Sequence, residues 1–214
     1  MINIMDSTDR MTHVFIHSSA IVEATQIGEG TRIWAYTHVM RDVPIGADCN
    51  IGEHCFIESG ATIGNQVTIK NGNMVWEGVD LEDGVFVGPM VVFTNDLHPR
   101  SPRLPQVQHR YADRGWLKQT VIKRGASLGA GSIILAGVTI GEFCMVGAGA
   151  IVNKSVPPHA LVVGSPARVR GWVCECGQRL MFSTETATCG TCGLEFIKTD
   201  STVALRSTSI GRAI

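Results

Sequence analysis

A large excess of charge, a long apolar run and a helical rhythm are all missing from this 214-residue sequence. The formal net charge is −1, so bulk electrostatics imply neither nucleic acid nor an anionic membrane surface as a partner. No apolar stretch approaches the roughly 20 residues needed to cross a bilayer. The opening residues MINIMDSTDRMT lack the apolar core of a signal peptide, which leads us to expect a cytoplasmic protein. The apolar residues follow neither the 3.6-residue period of a helix nor the unbroken alternation of one long strand.

What is present is a period of six. Large apolar residues recur at every sixth position from Phe15 through Ile33, Ile51, Ile69 and Val87 to Phe93, and again from Ile122 to Val152. Four positions after each anchor stands a smaller residue, such as Thr31, Thr37, Ala61, Val67, Ser132 or Ala150. Glycines cluster at the corners between, where bends favour positive φ. This rhythm predicts short strands joined by regular corners, hence an all-β solenoid of hexapeptide repeats, and it resembles a parallel β-helix with three hexads per coil. Each coil then packs only on its neighbours, and the ends need covers. The expected organisation is a flexible lead-in at 1–14, a β-helix domain at 15–170, a small module at 171–198 and a flexible tail at 199–214.

One interruption breaks the frame. The anchors Phe93 and Ile122 are 29 residues apart, which is not a multiple of six. The inserted loop, 97–121, carries Arg100, Arg103, Arg110, Arg114 and Lys118 against Asp113. A long insertion in a strict repeat is usually functional, and arginines suit phosphate-bearing ligands through paired hydrogen bonds.

The seven cysteines do not read as a disulfide framework. Cys49, Cys55 and Cys144 occupy the small inward slot, where a thiol behaves as a compact hydrophobe. The other four, Cys174, Cys176, Cys189 and Cys192, form two knuckles separated by twelve residues. That donor set fits a tetrahedral structural Zn2+ site with no coordination position left for catalysis.

Several stretches resemble a known family: TRIWAYTHV at 31–39, LEDGVFVGPMVVFTNDLHPRS at 81–101, VIKRGASLGAGSIILAGVTIG at 121–141 and VGAGAIVNKSVPPHALVVGSPAR at 146–168. They are similar to hexapeptide-repeat acyltransferases with a left-handed parallel β-helix. The likeness is closest to the N-acetyltransferases of UDP-2-acetamido-3-amino-2,3-dideoxyglucuronate, followed by those of dTDP-3-amino-3,6-dideoxyhexoses. The resemblance implies an acetyl-CoA co-substrate, a nucleotide-linked amino sugar as acceptor, a homotrimer with its site between copies, and a product for bacterial surface polysaccharide such as lipopolysaccharide O-antigen. The cysteine knuckles are an addition to the family pattern.

Carried residue by residue, the resemblance implies that Asn95 orients the acceptor amine. His98 is the candidate general base, because imidazole titrates near neutrality. Candidate nucleotide-sugar contacts are Arg32, His38, Asn71, Asn73, Arg100 and Arg110. For the coenzyme, Lys154 and Arg168 would meet phosphates, while Ala130 and Ala148 would let the pantetheine lie against backbone. Competing readings are an O-acetyltransferase on a sugar or small hydroxyl acceptor, a carbonic-anhydrase-like hydratase using His54, His98 and His109 on one zinc, and a non-catalytic scaffold.

Overall fold

The computed structural model describes residues 13–206. Most of the expected lead-in and the last residues of the expected tail lie outside that range. Within it, the hexads form a three-sided parallel β-helix whose rungs are strands of two or three residues. The first face has ten strands, from Phe15–Ile16 to Arg179–Leu180, of which the last two run antiparallel. The second face has seven, from Ile21–Val22 to Ile151–Val152. The third has four, Thr62–Ile63, Val79–Leu81, Thr120–Ile122 and Thr139–Ile140, prolonged by bridges from Ile27 to Ile45 to Ile63 and from Ile140 to Val156.

The register explains the sequence period. Asn50 lies beside Thr68 and Thr68 beside Phe86, so three hexads make one coil and like residues stack. Ile33, Ile51, Ile69, Val87 and Leu128 are all 0% exposed in one column. Burying each such side chain is worth about 1.5–3 kcal/mol. The small inward residues serve the corners. Thr31 Oγ1 donates to the Gly46 carbonyl at 2.8 Å and accepts the Cys49 N–H at 3.0 Å, which satisfies backbone that the turn would leave unpaired. Cys49, Cys55 and Cys144 are buried as expected, and burial pushes the Cys144 thiol up to about 12. Corners also approach closely. A Cβ on Gly129 would stand 2.4 Å from the Ala148 nitrogen, so the coil above has room for hydrogen alone.

The irregular spacing of Phe93 and Ile122 now has a simple cause. Phe93 lies beside Ile134 on the second face, and Ile122 continues from Leu81 on the third. One coil is therefore opened at a corner, an excursion leaves, and the register resumes unchanged.

The C-terminal end departs from expectation in two places. The boundary drawn at 170 falls inside the strand Arg168–Val173, which pairs back onto Ala160–Val163 and carries the solenoid sheet into the cysteine module. The tail expected to be flexible from 199 instead begins with a turn and the strand Thr202–Leu205, paired with Glu195–Thr199. Val203, at 2% exposed, is the reason: its burial ties that strand to the module.

Candidate functional site

The insertion is fastened at its neck. Asp96 and Leu117 form an antiparallel bridge, and the Lys118 N–H donates to the Asn95 carbonyl at 2.9 Å. Asp96 then braces the loop. Its Oδ1 accepts the His98 backbone N–H at 2.8 Å and the Arg110 guanidinium at 3.0 Å, and its Oδ2 accepts the Tyr111 hydroxyl at 3.0 Å. Arg110 also donates to the His98 carbonyl. Burial alone would raise the Asp96 carboxyl, yet the His98 N–H, the Tyr111 hydroxyl and the Arg110 guanidinium outweigh it and hold the group below the usual carboxylate range. Asp96 is thus a poor proton acceptor and a good brace.

The brace frames a cleft of about 400 Å3 bounded by Asp96, Leu97, His98, Arg110, Gly115, Trp116 and Lys118. A short 3-10 turn, Pro105–Tyr111, runs alongside, and the Tyr111 and Trp116 rings stand 5.6 Å apart. Arg114 pairs with Glu77 on the solenoid corner, which pins the returning limb. Asn95 is half-buried beside this neck, and its Nδ2 donates to the Glu77 carbonyl at 3.4 Å. With the amide NH2 turned that way, the Oδ1 is left as an acceptor. His98 is exposed, and among the described residues no side chain engages its imidazole.

The other candidates are scattered. Arg100 is exposed on the loop and its backbone N–H donates to the Tyr111 hydroxyl at 3.0 Å. Arg110 lines the cleft, but its guanidinium is engaged with Asp96 and His98, so it holds the loop. Arg32 points outward from the first face and Asn71 sits at the corner between the first and second faces, where its Oδ1 accepts the Glu53 N–H at 3.2 Å. His38 stands on the second face between Ile21 and Phe56, with Glu23 at 3.5 Å from its Nε2. None of these three shares the insertion's corner.

Asn73 must be corrected outright. It is 0% exposed, its amide donates to the carbonyls of Lys70 and Gly88, and its Oδ1 accepts the Val91 N–H at 2.9 Å. It fills the small inward slot four positions after Ile69, a placement the hexad frame itself dictates. No substrate reaches it.

The coenzyme candidates divide between two corners. Lys154 and Arg168 meet around a hollow of about 260 Å3. That hollow lies on the same edge as the insertion, between the second and third faces. Ala130 and Ala148 are exposed and stacked on the edge between the first and second faces, the Gly149 N–H donating to the Ala130 carbonyl at 2.9 Å. One chain therefore does not unite the four. The hydratase histidines are also apart: His54 stacks on Tyr36 at a corner of the first and second faces, whereas His98 and His109 belong to the insertion.

Among the described residues, the one group of three or more ligating side chains close enough to share a metal is Cys174, Cys176, Cys189 and Cys192, whose sulfurs all lie within 4.8 Å of one another. The Cys174 and Cys192 sulfurs are 3.3 Å apart, and those of Cys176 and Cys189 are 3.6 Å apart. The backbone N–H groups of Cys192 and Thr191 push the Cys189 thiol down to about 6, while burial pushes Cys174 up. Sequence reasoning singled out these four cysteines, whose sulfurs the fold brings together. It missed Asp96, Tyr111 and the Arg114–Glu77 pair, although an acid ahead of so basic a loop was the available signal.

Comparison with known proteins agrees with this architecture. The bacterial transferase hexapeptide (six repeats) model matches residues 24–59 and 119–154, and the hexapeptide repeat of succinyl-transferase matches 43–77. The dTDP-3-amino-3,6-dideoxy-alpha-D-galactopyranose 3-N-acetyltransferase of Aneurinibacillus thermoaerophilus is 47% identical over 86 residues, covering 40% of this chain and 44% of that protein. The galactoside O-acetyltransferase of Lactococcus lactis is 36% identical over 86 residues, covering 40% and 39%. The acetyltransferase domain of PglB from Neisseria gonorrhoeae, solved with acetyl coenzyme A, is 19% identical with a TM-score of 0.49, covering 76% of this chain and 59% of that one. The match thus spans less than half the length of these two curated relatives. The chain is thus built on hexapeptide repeats, interrupted once by the insertion and stacked into three-sided coils, and residues 24–77 and 119–154 of it match hexapeptide models of bacterial transferases.

Proposed function

We propose that this protein is an acetyl-CoA-dependent N-acetyltransferase acting on the 3-amino group of a nucleotide-linked amino sugar. The observation that carries the reading is the basic insertion, braced on Asp96, which frames a cleft beside Asn95 on a solenoid edge. The amino-sugar N-acetyltransferase among the relatives supports it.

Acyl transfer needs a neutral amine aimed at the thioester carbonyl, a donor for the oxyanion and a thiolate able to leave. Asn95 Oδ1 would accept from the amine and point its lone pair at the carbonyl carbon. As the C–N bond forms and the C–S bond breaks, the coenzyme departs as a thiolate and the amine proton passes to His98 or solvent. A thiol pKa of about 8.5 lets the sulfur leave without a strong acid. Arg100, with its exposed guanidinium, is the side chain we assign to the diphosphate or a sugar carboxylate.

The second face carries an outward apolar ladder, with Ile21 60%, Met74 42% and Val92 47% exposed. Packing three copies about an axis would cover it with closed symmetry. It would also bring one copy's insertion edge toward a neighbour's Ala130 and Ala148, uniting a coenzyme site that one chain leaves divided. The four clustered thiols complete the reading as a structural zinc site.

A thiol-release assay with acetyl-CoA across UDP-3-aminoglucuronate, dTDP-3-amino sugars and hydroxyl acceptors tests the proposal. Release with a nucleotide amino sugar is expected. Asn95→Ala is expected to lower turnover more than about tenfold, and His98→Asn to flatten the pH–rate profile. Turnover of hydroxyl acceptors alone would move the assignment to O-acetylation.

A further inference from the structure

The geometry points to a metal-held end cap: one zinc ion bound by Cys174, Cys176, Cys189 and Cys192 locks a lid over the last coil and steadies the strand that carries Arg168. Its last step rests on the coenzyme reading above. The rest stands on the four thiols and their packing.

A solenoid that simply stopped at Ala160–Val163 would expose a row of unpaired backbone groups, a template for edge-to-edge association. Here the chain turns back. Arg168–Val173 pairs antiparallel with that strand, and Arg179–Leu180 pairs in turn with Trp172 and Val173. The lid then interlocks with the last corner of the solenoid. His159 stacks on Phe143 at 5.6 Å, meets the Phe196 ring edge-on at 5.1 Å, and has its Nδ1 3.1 Å from the Val173 carbonyl. Phe196 is 0% exposed, so the contact is dry.

The lid has little else with which to hold itself together. Pieces below about 40 residues usually need a metal, disulfides or a partner to stay folded. The sulfur separations of 3.3 and 3.6 Å are far longer than a disulfide bond, and they approach the edges of about 3.8 Å of a tetrahedron with metal–sulfur bonds of about 2.3 Å. Binding would release the thiol protons to solvent and transfer no electrons. With all four positions filled by protein, the ion takes no part in acyl chemistry.

Cys174 directly follows the strand that bears Arg168. Its carbonyl accepts the Gly177 N–H at 2.9 Å and its N–H donates to the Gln178 carbonyl at 2.8 Å, which forms the first knuckle. Arg179, just beyond, donates to the Arg170 carbonyl at 3.0 Å. Without the ion the two knuckles lose their common centre, the outer strand loosens, and Arg168–Val173 is held along one edge alone. Arg168 is then no longer fixed at the hollow it lines with Lys154, and the affinity for coenzyme phosphates falls with the lid.

The test uses the full chain produced with zinc, before and after chelation. Metal content, thermal melting and coenzyme A binding by calorimetry are compared for wild type and Arg168→Ala, with a Co2+-loaded sample as spectroscopic check. Expected are one zinc per chain, thiolate-to-metal charge-transfer absorption with Co2+, earlier melting after chelation, and coenzyme binding weakened about tenfold, as for a lost charge-assisted hydrogen bond. In Arg168→Ala the chelator is expected to change coenzyme affinity little. A chain that binds no metal, or one whose melting is indifferent to chelation, overturns the cap. Unchanged coenzyme affinity in chelated wild type overturns the coupling. If the zinc-loaded protein binds no coenzyme A, the acetyltransferase reading fails and the coupling with it, while metal content and melting still judge the cap.

Discussion

Each coil of the solenoid buries three anchors and leans on its neighbours, whereas the C-terminal lid has Trp172, Leu180, Phe196, Val203 and a few small residues for a core. The first region repeats one weak unit until the sum is large. The second is too short for that and gathers four sulfurs instead. Repetition and, on the zinc proposal, ligation are two answers to the same shortage of buried surface in short strands.

The largest test of that contrast is a matched pair of truncations. Phe196→Ala is expected to cost about 3–5 kcal/mol and Leu128→Ala about 2–5 kcal/mol. In denaturant titrations the first should shift the lid's transition alone, and the second the solenoid's. Identical curves for both variants would mean that lid and solenoid unfold as one unit.

Asn73→Ala comes next. It leaves the Val91 N–H without its partner inside the solenoid, at a cost of about 1–3 kcal/mol. The KM for the proposed amino-sugar acceptor should stay as in wild type. A raised KM at unchanged stability would restore Asn73 to the substrate site.

The junction has its own acid sensitivity. Burial holds the His159 imidazole below its ordinary value, opposed by the Val173 carbonyl and by Glu175 and Glu142 nearby. The neutral ring belongs to the folded junction. Its contribution is therefore intact above the unfolded value of about 6.5 and is lost as pH falls toward the folded one. His159→Gln should flatten the pH dependence of lid melting as pH falls below about 6.5, and an unaltered slope would reject His159 as its source.

The smallest effect is expected from Arg114→Ala. Its pair with Glu77 is largely solvent-exposed and worth about 0–1 kcal/mol. Protease susceptibility of the insertion should rise while global melting barely moves.

The solenoid was legible because its period is its structure. Ile33, Ile51 and Ile69 announce a column before any coordinates exist, and the same frame assigns Asn73 to the interior. Reading Asn73 as a ligand contact came from treating a polar residue as exposed, when a small inward slot with two spare carbonyls suits an amide well. The strand at 202–205 was not legible, since four residues with one buried valine carry no period.

The candidate site was legible in kind and not in arrangement. The basic loop, Asn95 and the four cysteines stand out in one dimension. That Arg110 serves Asp96, and that Lys154 shares the insertion's edge while Ala130 and Ala148 do not, depends on which corner each coil turns toward the loop. The chain alone determined the repeat and its column of buried anchors, because both follow from a local rule repeated every six residues. Only the tertiary structure decided the brace, the division of the coenzyme candidates between two edges and the lid's seat on His159, because each joins residues whose spacing obeys no rule.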